Sequence, residues 1–264
     1  MLSRRHSIRL SARAVAALMA FGPLLSGCTR DATGKRSPHD DDPTTGSGAT
    51  SGTTQGTTGG TDTGDAPPEM IDWETFLAEL EVLTRTQYNE PWDQAAYVEE
   101  VAALMGLLDV TDATFQDILD RYRDATRGFP EIRTAHDGGD YEVAILQFEP
   151  GESIDLHNHP RMTGVILCLT GAVDIDAYNL LDRTSESGDL LIERVAEVTL
   201  APGDYATLTE SRGNIHALVA HEWCELLDVF TPPYTPDRIR EYRWYGRSDE
   251  PVEGDSIFAA WERS

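Results

Sequence analysis

Lysine is almost absent from the 264 residues of this sequence, since Lys35 is the only one and arginine supplies the other basic side chains. The later part of the chain therefore has no residue for Schiff-base chemistry or for a phosphate-binding P-loop. Acidic residues outnumber basic ones by 46 to 21, which gives a formal net charge of −25. Because a nucleic-acid partner requires clustered positive charge to neutralise phosphates, nucleic acid is excluded as a partner.

Cysteine is also scarce, with three residues at Cys28, Cys168 and Cys224. The second and third fall inside predicted strands, where a buried thiol packs as a small apolar side chain. In an oxidising compartment the same two thiols would instead be able to pair. We favour the core role for both and leave their redox state open.

The apolar stretch near the N-terminus is too short to cross a bilayer, which takes about 20 residues. It follows the basic side chains of Arg4, Arg5 and Arg9 and ends at Leu25-Ser26-Gly27-Cys28, which resembles the bacterial lipobox. We predict a signal peptide over residues 1–28, lipidation of Cys28, and an exported protein anchored by lipid at the bacterial cell envelope. Plain secretion and an uncleaved anchor are the alternatives, and the paired arginines resemble a twin-arginine export signal.

Residues 29–68 consist mainly of Thr, Gly, Ser, Ala and Pro with a few charges, and this composition predicts a disordered linker. Residues 69–134 then show apolar side chains at helical spacing, with a candidate N-cap at Asp72, and predict a small helical segment whose stripes pack into a core. From residue 135 to 264 the pattern changes to short β-branched runs separated by Gly and Pro turns. This part predicts an antiparallel sandwich or barrel, with strands near 141–148, 164–169, 172–178, 189–200, 205–208, 215–220 and 225–230.

Two of the seven histidines fall in His157-Asn158-His159. Alternate residues of an extended segment point to one face, so both imidazoles are expected on one side of the barrel wall. His216 follows Gly213-Asn214-Ile215 at the start of a later strand, where a barrel would bring it beside the first two. An isolated histidine pair is as often a surface or hydrogen-bonded core feature, and no spacing in sequence proves that the three meet.

These residues occur within motifs that resemble the cupin superfamily, and within it the thiol dioxygenases typified by plant cysteine oxidases and cysteamine dioxygenase. The resemblance covers about residues 137–246 and lies in four stretches that occur in the same order: Gly151 through His157, His159, Pro160, Met162 and Thr163 to Gly171; Ile175-Asp176-Ala177-Tyr178; Gly203 with Gly213-Asn214-Ile215-His216; and Leu226-Leu227-Asp228-Val229-Phe230-Thr231-Pro232-Pro233-Tyr234. It implies a mainly β cupin fold, a double-stranded β-helix or jelly-roll barrel, preceded by the small helical segment.

The resemblance also implies a single non-haem iron, Fe(II), held by His157, His159 and His216. Many cupins add a glutamate ligand, but that position falls here on Thr163 or Gly164, so up to three positions on an octahedral ion remain for a thiolate and dioxygen. The implied reaction is oxidation of cysteamine, cysteine or the N-terminal cysteine of a peptide by O2 to a sulfinic acid.

Asp228 is the predicted catalytic carboxylate, with a strand-end cap or salt bridge as its alternative role. Arg161, Tyr178 and Tyr245 are weaker candidates for substrate contact. Arg161 replaces the usual glycine of the family, and its guanidinium would either bind a substrate carboxylate or reach solvent. The family's Cys and Tyr cross-link is not expected, because residues 240–245 contain no cysteine.

Two other classes of function fit the same residues. The first is a cupin enzyme that uses Mn, Ni or Zn on a small molecule without a thiol, since imidazoles bind all of these ions. The second is a non-catalytic cupin that senses a ligand at the cell envelope. Under the leading hypothesis the partners are a small thiol or a peptide with an N-terminal cysteine, together with O2, and we expect a monomer.

Overall fold

The computed structural model describes residues 69–123 and 130–263. The predicted signal peptide, the lipidation site Cys28 and the predicted linker over 29–68 lie outside these residues. Within the described ranges, no helix combines the length and the apolar character needed to cross a membrane.

Three helices precede the strands: α1 (Trp73–Thr84), α2 (Gln94–Met105) and α3 (Ala113–Arg123). A 3₁₀ turn at Arg85–Tyr88 follows α1. The predicted cap at the start of α1 is confirmed, because the Asp72 carboxylate accepts a hydrogen bond of 2.7 Å from the backbone N–H of Thr75. Asp93 does the same for Ala96 at the start of α2. Each cap satisfies a backbone donor that the first turn of a helix leaves unpaired.

Eleven strands follow among the described residues: β1 (Glu131–Asp137), β2 (Glu142–Phe148), β3 (Ser153–Asn158), β4 (Thr163–Thr170), β5 (Val173–Thr184), β6 (Leu190–Leu200), β7 (Tyr205–Leu208), β8 (Ile215–Ala220), β9 (Cys224–Thr231), β10 (Trp244–Arg247) and β11 (Ile257–Arg263). A short helix, α4 (Pro236–Glu241), lies between β9 and β10. All the strand pairs are antiparallel, as the alternating Gly and Pro turns predicted.

The strands form two sheets whose order identifies the fold. One has the order β1-β2-β9-β4-β7, and the other closes as β10-β11-β6-β5-β8-β3 through contact of β10 with β3. Consecutive strands from β2 to β5 alternate between the sheets, and β6 to β9 return beside them in reverse order. This winding is that of a jelly roll, so the predicted mainly β cupin architecture with a helical segment before it is confirmed.

Apolar side chains cover both faces of the five-stranded sheet. One face packs against the three helices through Val143, Val165 and Leu227. The other packs inside the barrel through residues such as Leu146 and Ile166, against side chains of the second sheet. As a result, β2 and β9 are buried along their whole length, although the sequence had suggested strands that alternate between core and solvent.

The structure adds elements that the sequence pattern did not predict. β1 begins at Glu131, inside the range assigned to the helical segment, so the boundary at residues 134 and 135 falls within a strand. β3, which carries His157, was not distinguished from its flanking turns, and β10 and β11, which complete the second sheet, lie in a polar stretch with a weak period. The residues of β3, β10 and β11 adopt strand structure because neighbouring strands offer them hydrogen-bonding partners.

A buried ion pair joins the helices to the five-stranded sheet. Glu225 on β9 has no exposed surface, and its carboxylate accepts hydrogen bonds from the guanidinium of Arg123, at the end of α3, and from the side-chain amide of Gln147 at 2.7 Å. The three side chains stand on the helix-covered face of the sheet. A buried carboxylate is tolerated only where such partners replace its water.

We therefore expect Arg123→Met to lower the free energy of unfolding by about 2 kcal/mol, because the variant leaves the Glu225 carboxylate with one partner fewer. Denaturant unfolding followed by circular dichroism measures the change. Arg121→Met is the matched control, since Arg121 is exposed on the same helix and contacts only a backbone carbonyl of that helix in a side-chain hydrogen bond. The double variant Arg123→Met with Glu225→Gln should recover most of the loss, and equal losses in both single arginine variants would contradict the role of the pair.

Candidate metal centre

The register of β3 and β8 brings two histidines face to face. His157 on β3 stands directly opposite His216 on β8. His159 follows one residue after the end of β3, and its backbone is fixed by Asn214, whose side-chain amide donates to the His159 carbonyl at 2.7 Å. The three imidazoles therefore come from two paired strands and the loop that extends one of them, as the sequence predicted they would if a barrel formed.

The Nε2 atoms of the three rings converge on one point. Nε2 of His159 lies 3.0 Å from Nε2 of His157 and 3.0 Å from Nε2 of His216. All three side chains are buried, with at most 5% of their surface exposed. Among the described residues, this is the group of His, Cys, Asp and Glu side chains whose ligand atoms lie close enough to hold an ion, within 4.8 Å of one another.

Hydrogen bonds at the far side of the rings fix which nitrogen carries the proton. Nδ1 of His157 lies 2.8 Å from the backbone carbonyl of Asp155, which only accepts, so Nδ1 is the protonated nitrogen and Nε2 has a lone pair. Nδ1 of His159 lies 2.7 Å from the hydroxyl of Tyr234, which is able to accept in the same way. Burial lowers the pKa of His157 to about 4. Burial, with the charges of neighbouring rings, also lowers the pKa values of His159 and His216 well below their usual value.

Three neutral imidazoles with converging lone pairs repel one another unless a cation lies between them. Nε2 of His159 lies near enough to the other two Nε2 atoms for the three nitrogens to bind one ion. A donor set of three imidazoles fits a divalent transition metal.

A small cavity of about 20 Å³ adjoins the imidazole nitrogens inside the barrel. Its wall is mainly apolar, with six aliphatic or aromatic residues from both sheets: Ile132, Leu146, Ile154, Ile166, Leu218 and Phe230. The three histidines, Asp228 and Tyr234 supply its polar atoms. A narrow, mainly apolar wall of this kind limits the access of bulk water to the three nitrogens.

Asp228 faces this cavity from β9, between Ala144 of β2 and Ile166 of β4. The residue is 2% exposed, and its Oδ1 accepts no hydrogen bond from any described residue. Burial, together with the charge of the nearby Glu142, raises the pKa of Asp228 well above its usual value. Among the described residues, Oδ1 of Asp228 therefore remains free to contact a ligand.

Aromatic rings pack against two of the three histidines, His157 and His159. The ring of Phe230 stacks on His159 with centroids 5.4 Å apart, and the ring of Tyr242 stacks on His157 at the same separation. Trp244 packs against both His157 and Tyr242 at 5.3 Å. These contacts restrict the ring orientations before any ion binds, which lowers the entropy that binding must overcome.

One protein-family model covers both the strands of the fold and the three histidines. The PCO_ADO model matches residues 108–260, which include strands β1 to β10, the first part of β11, the three histidines, Asp228 and Tyr234. The chain belongs to the PCO_ADO family. The resemblance to thiol dioxygenases drawn from the four motifs is confirmed at the level of the family.

Two curated relatives extend this comparison. The chain is 33% identical to plant cysteine oxidase 2 of Arabidopsis thaliana over 110 residues, which are 40% of each chain. It is 31% identical to human 2-aminoethanethiol dioxygenase over 137 residues, 42% of this chain and 50% of the human one. The matches thus span half or less of the relatives' length. A solved double-stranded β-helix protein of Klebsiella pneumoniae covers 48% of this chain and 87% of its own, with 17% identity and a TM-score of 0.36. This similarity is too low to support an argument, so the fold is identified from the order of the strands.

The other three predicted site residues lie outside the cavity wall. Arg161, in the turn after β3, has a positive φ of 56°, and its guanidinium binds both carboxylate oxygens of Glu241 at 2.8 and 3.0 Å. Tyr178 and Tyr245 belong to a separate small core formed mainly by the second sheet. β5 has a bulge between Ala177 and Tyr178, directly before the ring of Tyr178 enters this core. A contact of these three residues with substrate stays a prediction.

Tyr234 is the site residue that sequence reasoning did not single out. Its ring lines the cavity, and its hydroxyl contacts Nδ1 of His159. The signal was present in the Pro232-Pro233-Tyr234 run, which the resemblance quoted, but no pattern shows which ring a tyrosine will reach across the barrel. A second hydrogen bond of this kind orients a ligand imidazole and raises its basicity.

We expect Tyr234→Phe to lower Fe(II) affinity about 10-fold to 100-fold, because His159 loses the partner of Nδ1. Competition against a chelator of known affinity measures the change. Tyr242→Phe is the matched control, since it removes the same atom from a buried tyrosine whose hydroxyl has no hydrogen-bond partner among the described residues. Unchanged affinity in Tyr234→Phe, or an equal loss in both variants, would show that the hydroxyl does not orient the ligand.

Proposed function

We propose that this chain is an Fe(II)-dependent thiol dioxygenase that oxidises cysteamine, cysteine or the N-terminal cysteine of a peptide to the sulfinic acid with O2. Membership of the PCO_ADO family supports the activity, and two of its relatives bear the names cysteine oxidase and 2-aminoethanethiol dioxygenase. In the overall reaction, R–SH and O2 give R–SO2H, so both oxygen atoms end on sulfur and no external reductant is needed.

The observation that carries the proposal is the convergence of three neutral imidazole nitrogens without a carboxylate among them. His157, His159 and His216 would hold the iron, and the bound iron would supply adjacent positions for a thiolate and for dioxygen. The position at which many cupins carry a glutamate ligand falls on Thr163 or Gly164, at the start of β4. Thr163 instead donates its hydroxyl to the backbone carbonyl of Thr231 at 2.9 Å, and glycine offers no side chain.

Residues of the cavity wall would exclude water, contact the substrate and orient His159. The aliphatic side chains exclude water, which would otherwise compete for the open positions and weaken electrostatic contacts with the substrate. Asp228 would receive a hydrogen bond from the substrate or hold a proton at its free Oδ1, while Tyr234 keeps His159 in position. An amine on the substrate suits this arrangement, because an ammonium group beside Asp228 would donate to its free Oδ1 and favour the ionised carboxylate.

Export and lipid anchoring through Cys28 complete the proposal on the basis of the N-terminal sequence alone. Twin-arginine export would let the chain fold and load iron before it leaves the cytoplasm. The substrate would then be a thiol present at the cell envelope. Export through this route and anchoring are tested by fractionation of cells and by lipid labelling, with Cys28→Ser as the variant that should release the protein.

Metal analysis combined with oxygen uptake tests the central proposal. We expect about one iron per chain after Fe(II) loading, thiol-dependent oxygen uptake, and a product that carries two atoms from labelled dioxygen. His216→Ala should abolish both metal binding and uptake, while His221→Ala, which removes a histidine paired with Asp174 at the surface, should leave both unchanged. Tight binding of Mn, Ni or Zn without uptake on any thiol would instead favour the non-thiol cupin or the ligand sensor.

For Asp228 we predict a loss of turnover without a loss of metal. Asp228→Asn preserves size but cannot exchange a proton, so kcat/KM should fall about 100-fold with iron content unchanged. Asp174→Asn makes the same chemical change on the outer face of β5 and serves as the control. Normal kcat/KM in Asp228→Asn would return the residue to a structural role.

A further inference from the structure

Cys168 and Cys224 meet inside the barrel although they are far apart in sequence. Both are free thiols, both are at most 1% exposed, and both belong to the core between the two sheets. Cys168 lies on β4 and Cys224 on the adjacent strand β9. The Sγ atom of Cys168 donates to the backbone carbonyls of Thr170 at 3.5 Å and Gly171 at 3.6 Å, in the turn that passes beside Cys224. The first cysteine of the chain, Cys28, lies outside the described residues.

The local backbone explains how the two sulfurs come together. Cys168 stands opposite Leu226, and a bulge follows at once, so that Thr170 is paired with Glu225. The turn then passes so near β9 that a Cβ on Gly171 would lie 2.1 Å from the carbonyl oxygen of Trp223 and 2.9 Å from Cα of Cys224. Gly171 has a φ of +76°, which suits glycine, and this turn fixes the end of β4 against the start of β9.

We propose that Cys168 and Cys224 form a disulfide site that links β4 to β9 when the chain folds in an oxidising compartment, which requires export of the unfolded chain instead of the twin-arginine route. The oxidant is a disulfide of low molecular weight or of an oxidoreductase, and the reaction is thiol–disulfide exchange. One cysteine thiolate attacks the oxidant and releases one of its thiols. The other cysteine attacks the mixed disulfide and releases the second thiol, so two Cys–SH and one RSSR give one cystine and two RSH. Because both sulfurs are buried in the finished barrel, the exchange belongs to the stage of folding at which β4 and β9 are still accessible.

Such a bond would bear on the strand that presents Asp228. β9 lies between β2 and β4 in the five-stranded sheet, and Cys224 begins it. A covalent link across β4 and β9 closes a long loop that includes β5 to β8, and constraining a long loop of the unfolded chain stabilises the folded one. The inference goes beyond the proposed function, since it does not require a metal or any activity.

Oxidative refolding tests the inference on the full chain carrying Cys28→Ser, in which Cys168 and Cys224 are the remaining cysteines. The denatured, reduced chain is refolded in a glutathione redox buffer and, in parallel, with a reductant. We expect no free thiols after refolding in the redox buffer, a cross-linked peptide pair containing both cysteines by mass spectrometry, and a thermal midpoint roughly 10 °C above that of the reduced form. Cys168→Ala should retain one free thiol and show no difference between the two buffers.

The proposal is overturned if both thiols remain free after refolding in the redox buffer, or if the cross-links join separate chains only. A chain that does not refold is tested instead as natively purified, reduced protein incubated with diamide at denaturant concentrations just below the unfolding transition. Persistence of both thiols there overturns the proposal equally, and neither experiment depends on iron or on thiol oxidation by the protein.

Discussion

The pairing of β3 with β8 is the constraint on which the rest of the site depends. It sets His157 opposite His216, and the loop beyond β3 adds His159 with its backbone held by Asn214. A slip of one residue in this register would turn the paired imidazole of one strand to the opposite face of the sheet. The surrounding structure fixes the register from several sides, since β3 also pairs with β10 at Trp244, whose ring packs against His157.

Burial on both faces of the five-stranded sheet shields the strand that presents Asp228. The helices α1 to α3 cover the outer face, so β2, β4 and β9 are interior strands with few routes for water or for local opening. Glu225 shows the cost of this arrangement, because a charged side chain on the covered face must be matched by Arg123 and Gln147. Asp228, on the same strand but facing the barrel, has no such match at Oδ1. This contrast between two carboxylates three residues apart is the one we expect if Glu225 has a structural role and Asp228 a functional one.

Much of this architecture follows from the sequence, and the exceptions have physical causes. The cap at Asp72, the antiparallel barrel and the convergence of His157, His159 and His216 follow from local chemistry, from strand period and from motif order. The substrate candidates Tyr178 and Tyr245 show where such reasoning stops. A bulge accompanies the packing of Tyr178, and neighbouring strands determine which core each ring enters, so no local pattern records their distance from the cavity. The role of Tyr234 was missed for the same reason, since its partner lies 75 residues away in sequence.

Arg161 illustrates how a departure from a family pattern can be absorbed. A residue other than glycine at a φ of 56° costs about 1 kcal/mol or more. The guanidinium of Arg161 binds Glu241 at the end of α4, but both side chains are half-exposed, and such surface pairs contribute about 0–1 kcal/mol. The pair therefore offsets the strain only in part, and stability alone does not account for arginine at this position. What the pair does achieve is to join the turn beside His159 to the segment that carries Tyr242 and Trp244 against His157. Arg161 thus connects the supports of two metal-ligand candidates from outside the cavity.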